Sequence, residues 1–283
     1  MQESSRLRPK LMLLLSLETG QETPTVKGPS LTRASFAFFC LFATTVRADS
    51  LLIAVASNFA LTAQEVASEF EAATGHDVLI SSASTGKLYI QIRNGAPFDV
   101  FLAADSARPK KLDAEGLGVP GTRQTYAYGQ LVLWSRNKHP ENLNCQERLQ
   151  AGGFGRLSIA NPDTAPYGAA ARQLLLRTGL WERTQAQLVI GENISQTLQF
   201  VASGNAGLGL IALSQLNNAH LPEASCEWLV PADMHDPIDQ QAILLSRAAD
   251  NTAARAFLRF LHGESGRAIV ARSGYRLSAG SAL

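Results

Sequence analysis

The chain is short of the residues that most enzyme classes and metal sites need. Its 283 residues include only three cysteines and five histidines, and 17% are charged with a formal net charge of +1. A balance so near neutral leaves no basic footprint for nucleic acid or an anionic membrane surface. No Cys-x-x-Cys occurs, and histidines 76, 139, 220, 235 and 262 are scattered, so no metal-ligand spacing is present. The Gly-x-Ser-x-Gly elbow of serine hydrolases is missing. There is no repeat or low-complexity tract, and no apolar run is long enough to span a bilayer comfortably. What remains is 46% hydrophobic, enough chain for one large or two medium domains with real cores rather than a disordered polypeptide.

Arg33 precedes an apolar block, Ala34–Ala43, and Thr44-Thr45-Val46-Arg47-Ala48 follows with small residues suited to cleavage after Ala48. A positive flank, a short apolar core and a small-residue exit are the layout of a secretory signal. Phe39 fills the place where a lipoprotein signal needs a small residue, so Cys40 is not read as a lipid anchor. Residues 1–30, with a second apolar run from Leu11 to Leu17 and then Pro24 and Pro29, read as an extension upstream of the true start. An N-terminal extension and signal peptide over 1–48 is therefore expected, and an exported product after it. Only Cys145 and Cys226 then remain. An oxidising compartment could join them, but two free thiols is the preferred reading.

From Leu51 short apolar runs alternate with amphipathic stretches. Leu51–Val55 reads as a buried strand. Phe59, Ala63, Val66, Phe70 and Ala73 then recur at helical spacing, with Gly75 as the stop. Strands at Val78–Ser82 and Val100–Ala103 and helices at Thr85–Arg93 and Ala107–Glu115 complete a βαβαβ order, the mark of a doubly wound sheet. The second half repeats it. Strands are expected at Leu131–Trp134, Leu157–Ala160, Leu188–Ile190, Leu208–Ile211, Glu227–Val230 and Ala242–Leu245. Helices are expected at Gly168–Thr178, Ser195–Ala202 and Leu213–Ala219, with a last one capped by Asn251 that carries Ala254, Phe257, Leu258 and Leu261.

Four strand-to-helix turns carry small, hydroxyl or amide residues and little charge. They are Ala56-Ser57-Asn58-Phe59, Ser82-Ala83-Ser84-Thr85-Gly86, Pro166-Tyr167-Gly168 and Glu192-Asn193-Ile194-Ser195. Helix N-termini present free N–H groups and a positive dipole end, so each turn is a potential anion site. Ligands of open α/β sheets sit beyond the carboxyl ends of strands, where all four turns fall. Ser57 and Asn58 can point a hydroxyl and an amide into such a cleft or act as ordinary caps. Ser84, Thr85 and Gly86 form a turn in which Gly86 lets a ligand approach the backbone closely, or again a cap. Tyr167 can plug the surface or offer its hydroxyl or N–H. Ile194 can act only through its backbone. Two turns in each half suggest one oxyanion gripped between two lobes.

The segments Leu51–Phe59, Gly95-Ala96-Pro97-Phe98-Asp99-Val100-Phe101-Leu102-Ala103-Ala104-Asp105, Gly129–Ser135 and Asn161–Gly168 resemble periplasmic molybdate-binding proteins, the solute receptors of an ABC uptake system. The resemblance runs from about Leu51 to Tyr275. It implies an α/β, two-lobed periplasmic-binding-protein fold in which each lobe is a doubly wound, mostly parallel sheet flanked by helices, joined by two hinge crossings. Lobe 1 would be 49–130 plus 231–283, and lobe 2 would be 131–230. The family's ligand contacts fall on Ser57, Asn58, Thr85, Tyr167 and Ile194. Part of the family has a tyrosine near residue 212, where this chain has Ala212; it matches the subgroup carrying Tyr167 and an asparagine after the first contact.

The resemblance further implies a periplasmic, monomeric receptor for molybdate or tungstate. It would be neither an enzyme nor a cofactor carrier, and would serve a membrane ABC permease and its ATPase. The donor chemistry points the same way: a fully deprotonated tetraoxyanion needs donors only, and no contact position holds a carboxylate. Asp163 and Glu192 are read as pointing away, and Lys87 as a solvated helix cation. Replacing Thr85 is expected to weaken binding more than folding. A receptor for another oxyanion such as sulfate, and an exported α/β hydrolase or phosphatase using a serine, are the competing readings.

Overall fold

The computed structural model describes residues 49–138, 143–217 and 221–277. The signal-like segment over 1–48, including Cys40 and the expected cleavage point, lies outside the described residues. The chain opens with β1 (Ser50–Ala56), a single 3-10 turn at Ser57–Phe59 and α1 (Ala60–Thr74). It continues through β2 (Asp77–Ala83), α2 (Thr85–Arg93), β3 (Val100–Leu102), α3 (Ala107–Ala114) and β4 (Gln124–Gly129). Then follow β5 (Leu131–Ser135), α4 (Cys145–Ala151), β6 (Leu157–Ala160), α5 (Pro166–Arg177) and α6 (Trp181–Thr184). β7 (Leu188–Gly191), α7 (Ile194–Ala202), β8 (Leu208–Ala212) and β9 (Cys226–Leu229) come next, and β10 (Ile238–Leu244), α8 (Thr252–His262) and α9 (Glu264–Arg272) end the described chain.

These strands form two five-stranded sheets, ordered β2-β1-β3-β10-β4 and β7-β6-β8-β5-β9. In the first, β2, β1 and β3 are parallel neighbours and β10 is antiparallel to both β3 and β4. The second repeats the pattern, with β5 as the strand antiparallel to β8 and β9. Each sheet thus has one reversed strand among four of common direction, the two-lobed α/β architecture that the sequence implied. The reversed strands are the ones that enter from the other sheet: only Gln130 separates β4 from β5, and β9 returns to β10 through 230–237.

Period-two alternation places the cores. Leu51, Ile53 and Val55 of β1 join Phe70, Phe257, Leu261 and Val270 from α1, α8 and α9 on one face. Ala54 packs with Leu88, Ile92 and Leu112 from α2 and α3 on the other. Each such large apolar side chain contributes about 1.5–3 kcal/mol on burial. Phe70 also meets Phe257 edge-on at 5.4 Å between ring centroids. Gly75 ends α1 in the left-handed region, at φ 73°, where a side chain would be strained. Asn251 accepts from the Ala254 N–H and caps α8.

Several expectations are corrected. Leu213–Asn217 is a 3-10 turn rather than an α-helix, and its expected end at Ala219 falls outside the described residues. β10 starts at Ile238, four residues before the expected Ala242, because Asp239, Gln240 and Gln241 break the apolar signal while the strand is bulged between Gln240 and Gln241. β4, α4, α6 and α9 carry no apolar stripe strong enough to stand out in the sequence. Cys145 and Cys226 are not free thiols: they form a disulfide with Cα atoms 5.4 Å apart, across 81 residues. Spacing along the chain cannot reveal that the start of α4 lies beside the start of β9.

Candidate functional site

β1 and β2 run parallel and in register from Ser50 opposite Asp77 to Ala56 opposite Ala83, so their carboxyl ends deliver Ser57 and Ser84-Thr85 side by side. In the other sheet β6 and β7 pair from Leu157 opposite Leu188 to Ala160 opposite Gly191, and the turns into α5 and α7 emerge together. The two pairs of turns meet. Ala56, Ser57, Asn58, Ser84, Thr85, Ala104, Ala165, Pro166, Tyr167 and Ile194 line one small cavity with about 10 Å³ of room for the centre of a water-sized sphere. That is well below the roughly 300 Å³ at which pockets for drug-sized ligands begin. All five residues singled out from the sequence are in its wall, and none is more than 8% exposed. Among the described residues no charged side chain lines it, and Ala212 is not among its walls.

Each side chain has a defined role in the closed arrangement. Thr85 Oγ1 accepts from the buried Ala104 N–H at 3.1 Å, which turns its own proton away from that partner and leaves it to donate. Asn58 Nδ2 donates to Gln240 Oε1 at 2.8 Å and to the Tyr275 hydroxyl at 3.1 Å, so both amide protons are engaged in the scaffold. The amide therefore does not face the cleft as the sequence suggested; what Asn58 can still offer a ligand is its backbone N–H. The Asn58 carbonyl is held by Tyr275 at 2.7 Å and by Ser214 at 3.1 Å.

Tyr167 is 1% exposed, which removes the surface-plug reading. Its hydroxyl accepts from Gln240 Nε2 at 3.4 Å and lies against Gly129, at the chain crossing. The phenol is thus turned toward the chain crossing, leaving the N–H at the first turn of α5 for the cavity. Burial pushes its pKa well above the usual tyrosine value, with Tyr275 adding to the effect. Burial does the same to Tyr126 and Tyr275. Ile194 begins α7, where Asn193 caps the Gln196 N–H and leaves the Ile194 N–H without an intrahelical acceptor. Gln215 fixes this turn from behind, accepting from Ala212 N–H at 3.1 Å and donating to the Ile194 carbonyl at 3.2 Å.

Three contacts close the mouth between the sheets. The Gly86 N–H donates to the Thr164 carbonyl at 2.8 Å, Arg108 donates to the Asp163 carbonyl at 3.0 Å, and Lys87 pairs with Glu192 at 2.8 Å. Lys87 is therefore a cross-cleft partner rather than a solvated cation. Sequence reasoning passed over Gln215, Gln240 and Tyr275, because a buried polar side chain inside an apolar pattern carries no signal until its partners are known.

The cavity's chemistry is that of a neutral nest of hydroxyl and N–H donors. The profile of the family described as "Bacterial extracellular solute-binding protein" matches residues 51–276. The molybdate-binding protein ModA of Azotobacter vinelandii is 47% identical over 84% of this chain and 94% of its own length. ModA of Rhodobacter capsulatus is 41% identical over 81% of this chain and 88% of its own. The solved structure of the Azotobacter vinelandii periplasmic molybdate-binding protein aligns with a TM-score of 0.76 at 39% identity, covering 81% of this chain and 99% of that one. On sequence and architecture together, the chain belongs to the bacterial extracellular solute-binding protein family.

Proposed function

We propose that this chain is an extracytoplasmic receptor that binds molybdate or tungstate in the cavity between its lobes and hands it to an ABC permease and its ATPase. The observation that carries the reading is a small, buried cavity lined by neutral residues at four strand-to-helix turns, with no carboxylate and no cation among the described residues of its wall. Helix-start N–H groups and hydroxyls stabilise a compact dianion without a counter-charge. The absence of an acceptor carboxylate disfavours monohydrogen phosphate, whose proton needs one. In this reading Ser57 and Thr85 donate through hydroxyls, and Asn58, Tyr167 and Ile194 through backbone N–H groups. The names of the two ModA relatives support molybdate as the cargo. The chain then has no catalytic role and no resident cofactor. It works as a monomer, with lobe 1 formed by 49–130 plus 231–283 and lobe 2 by 131–230. The signal-like segment from Arg33 to Ala48 directs export to the periplasm, where a disulfide such as Cys145–Cys226 persists.

Calorimetric titration with molybdate, tungstate, sulfate and phosphate tests this. Molybdate and tungstate should bind tightly and nearly equally. Sulfate, with shorter bonds, should leave some donors of a rigid cavity out of reach, and a bond stretched toward about 3.6 Å is largely lost. Sulfate competing at equal concentration would overturn the molybdate assignment.

A further inference from the structure

We propose that Ser84 is a further ligand-binding residue, its hydroxyl donating to an oxygen of the oxyanion held between the lobes; this rests on the receptor reading above. Ser84 occupies the N-cap position of α2, where a serine normally accepts from the second or third N–H of the helix. Here it makes no such bond. The reason lies across the cleft: the Gly86 N–H, a natural partner for the cap, is taken by the Thr164 carbonyl at 2.8 Å. The opposite lobe caps α2, and the Ser84 hydroxyl is released from that duty.

The hydroxyl has nowhere else to go. Ser84 is 2% exposed, its Oγ has no hydrogen-bond partner among the described residues, and the residue lines the cavity. A buried hydroxyl without a partner is costly and calls for an explanation. The other unpartnered buried atoms, on Arg123, Arg148 and Thr164, belong to residues outside the cavity wall. Unlike Thr85, whose oxygen is fixed by the Ala104 N–H, Ser84 is free to rotate its proton toward an anion. A tetraoxyanion would supply the missing acceptor, and two hydroxyls would then converge from one turn.

The test is calorimetric titration of the full chain and its Ser84→Ala variant with sodium molybdate and sodium tungstate, beside melting temperatures without ligand. A lost bond to a charged acceptor should weaken both ions by about tenfold or more. The unliganded melting temperature should stay the same or rise, since the substitution removes an unpaired buried hydroxyl. A variant that binds like the unsubstituted chain overturns the Ser84 assignment alone. So does a variant whose binding loss is matched by a fall in unliganded melting temperature, which would make Ser84 a cap. An unsubstituted chain that binds neither ion overturns the receptor reading and this one together.

Discussion

Thr85 shows how one oxygen can serve the fold and the ligand together. Its hydroxyl accepts from the Ala104 N–H, which is buried in the cavity wall. Thr85→Val should therefore cost about 1–3 kcal/mol of stability by orphaning that N–H, as well as about tenfold in affinity by removing the donor. This revises the expectation from sequence that folding would be the lesser casualty. Thr85→Ser should keep most of both, so melting curves and titrations of the pair separate the two roles. Ser57→Ala should weaken binding alone, whereas Ile194→Ala should cost about 2–5 kcal/mol of packing yet leave affinity nearly intact, because only its backbone is used. A second expectation concerns protons. No group in the cavity wall titrates near neutrality, and burial holds Tyr167 protonated beyond the ordinary tyrosine range. Molybdate affinity measured from about pH 6.5 to 9 should be flat; a step in that window would mean that a titrating group has been missed.

At the scale of elements, function depends on helix starts being brought together across a cleft. A Cβ on Gly86 would lie 3.0 Å from both the Cα and the carbonyl oxygen of Thr164, tighter than nearly all real contacts, so the facing backbone would have to give way. The backbone conformation of Gly86 itself suits any residue, so the restriction comes from the facing Thr164 backbone, with the Arg108 guanidinium also 3.1 Å away. Gly86→Ala should leave α2 intact, or strengthen it by up to about 1 kcal/mol through helix propensity, while opposing closure. Molybdate affinity should drop several-fold with no loss of unliganded melting temperature. Lys87→Ala is the control. Its pair with Glu192 is half exposed, so its loss should change affinity little and less still at high salt. Equal effects from the two variants would show that the mouth is held by charge rather than by backbone contact.

For the molecule as a whole, two sheets with the same order and the same single reversed strand face each other across one small cavity. The reversed strands β10 and β5 are also the ones adjoining the chain crossings, and Gln240 on β10 carries the network that ties Asn58, Tyr126 and Tyr167 to that region. The disulfide lies away from it, joining α4 to β9 inside the second sheet's layer. Closing a loop of 81 residues should stabilise the fold by up to roughly 4 kcal/mol through the unfolded chain. Reduction, or replacement of both cysteines by serine, should lower the melting temperature and leave molybdate affinity of the folded protein unchanged. An affinity that falls with reduction would tie the disulfide to the site.

The sequence by itself determined the alternation of strands and helices, because apolar periodicity and turn residues are local properties, and its resemblance to a known family implied the two-lobed class. Leu51–Val55, the α1 stripe ending at Gly75 and the Asn251 cap are of this kind. It also brought out the four turns, since small hydroxyl and amide residues after apolar runs stand out without any partner. Tertiary structure alone decided what those residues do. Asn58 spends its amide on Gln240 and Tyr275, residues some two hundred positions away, and Tyr167 turns its phenol to the chain crossing. Ser84 loses its cap partner to a carbonyl from the other lobe, and two cysteines 81 residues apart become neighbours. The division has one physical cause. Periodicity reports which face of an element is buried, whereas a hydrogen bond or a disulfide depends on which distant atoms the packed elements bring within reach.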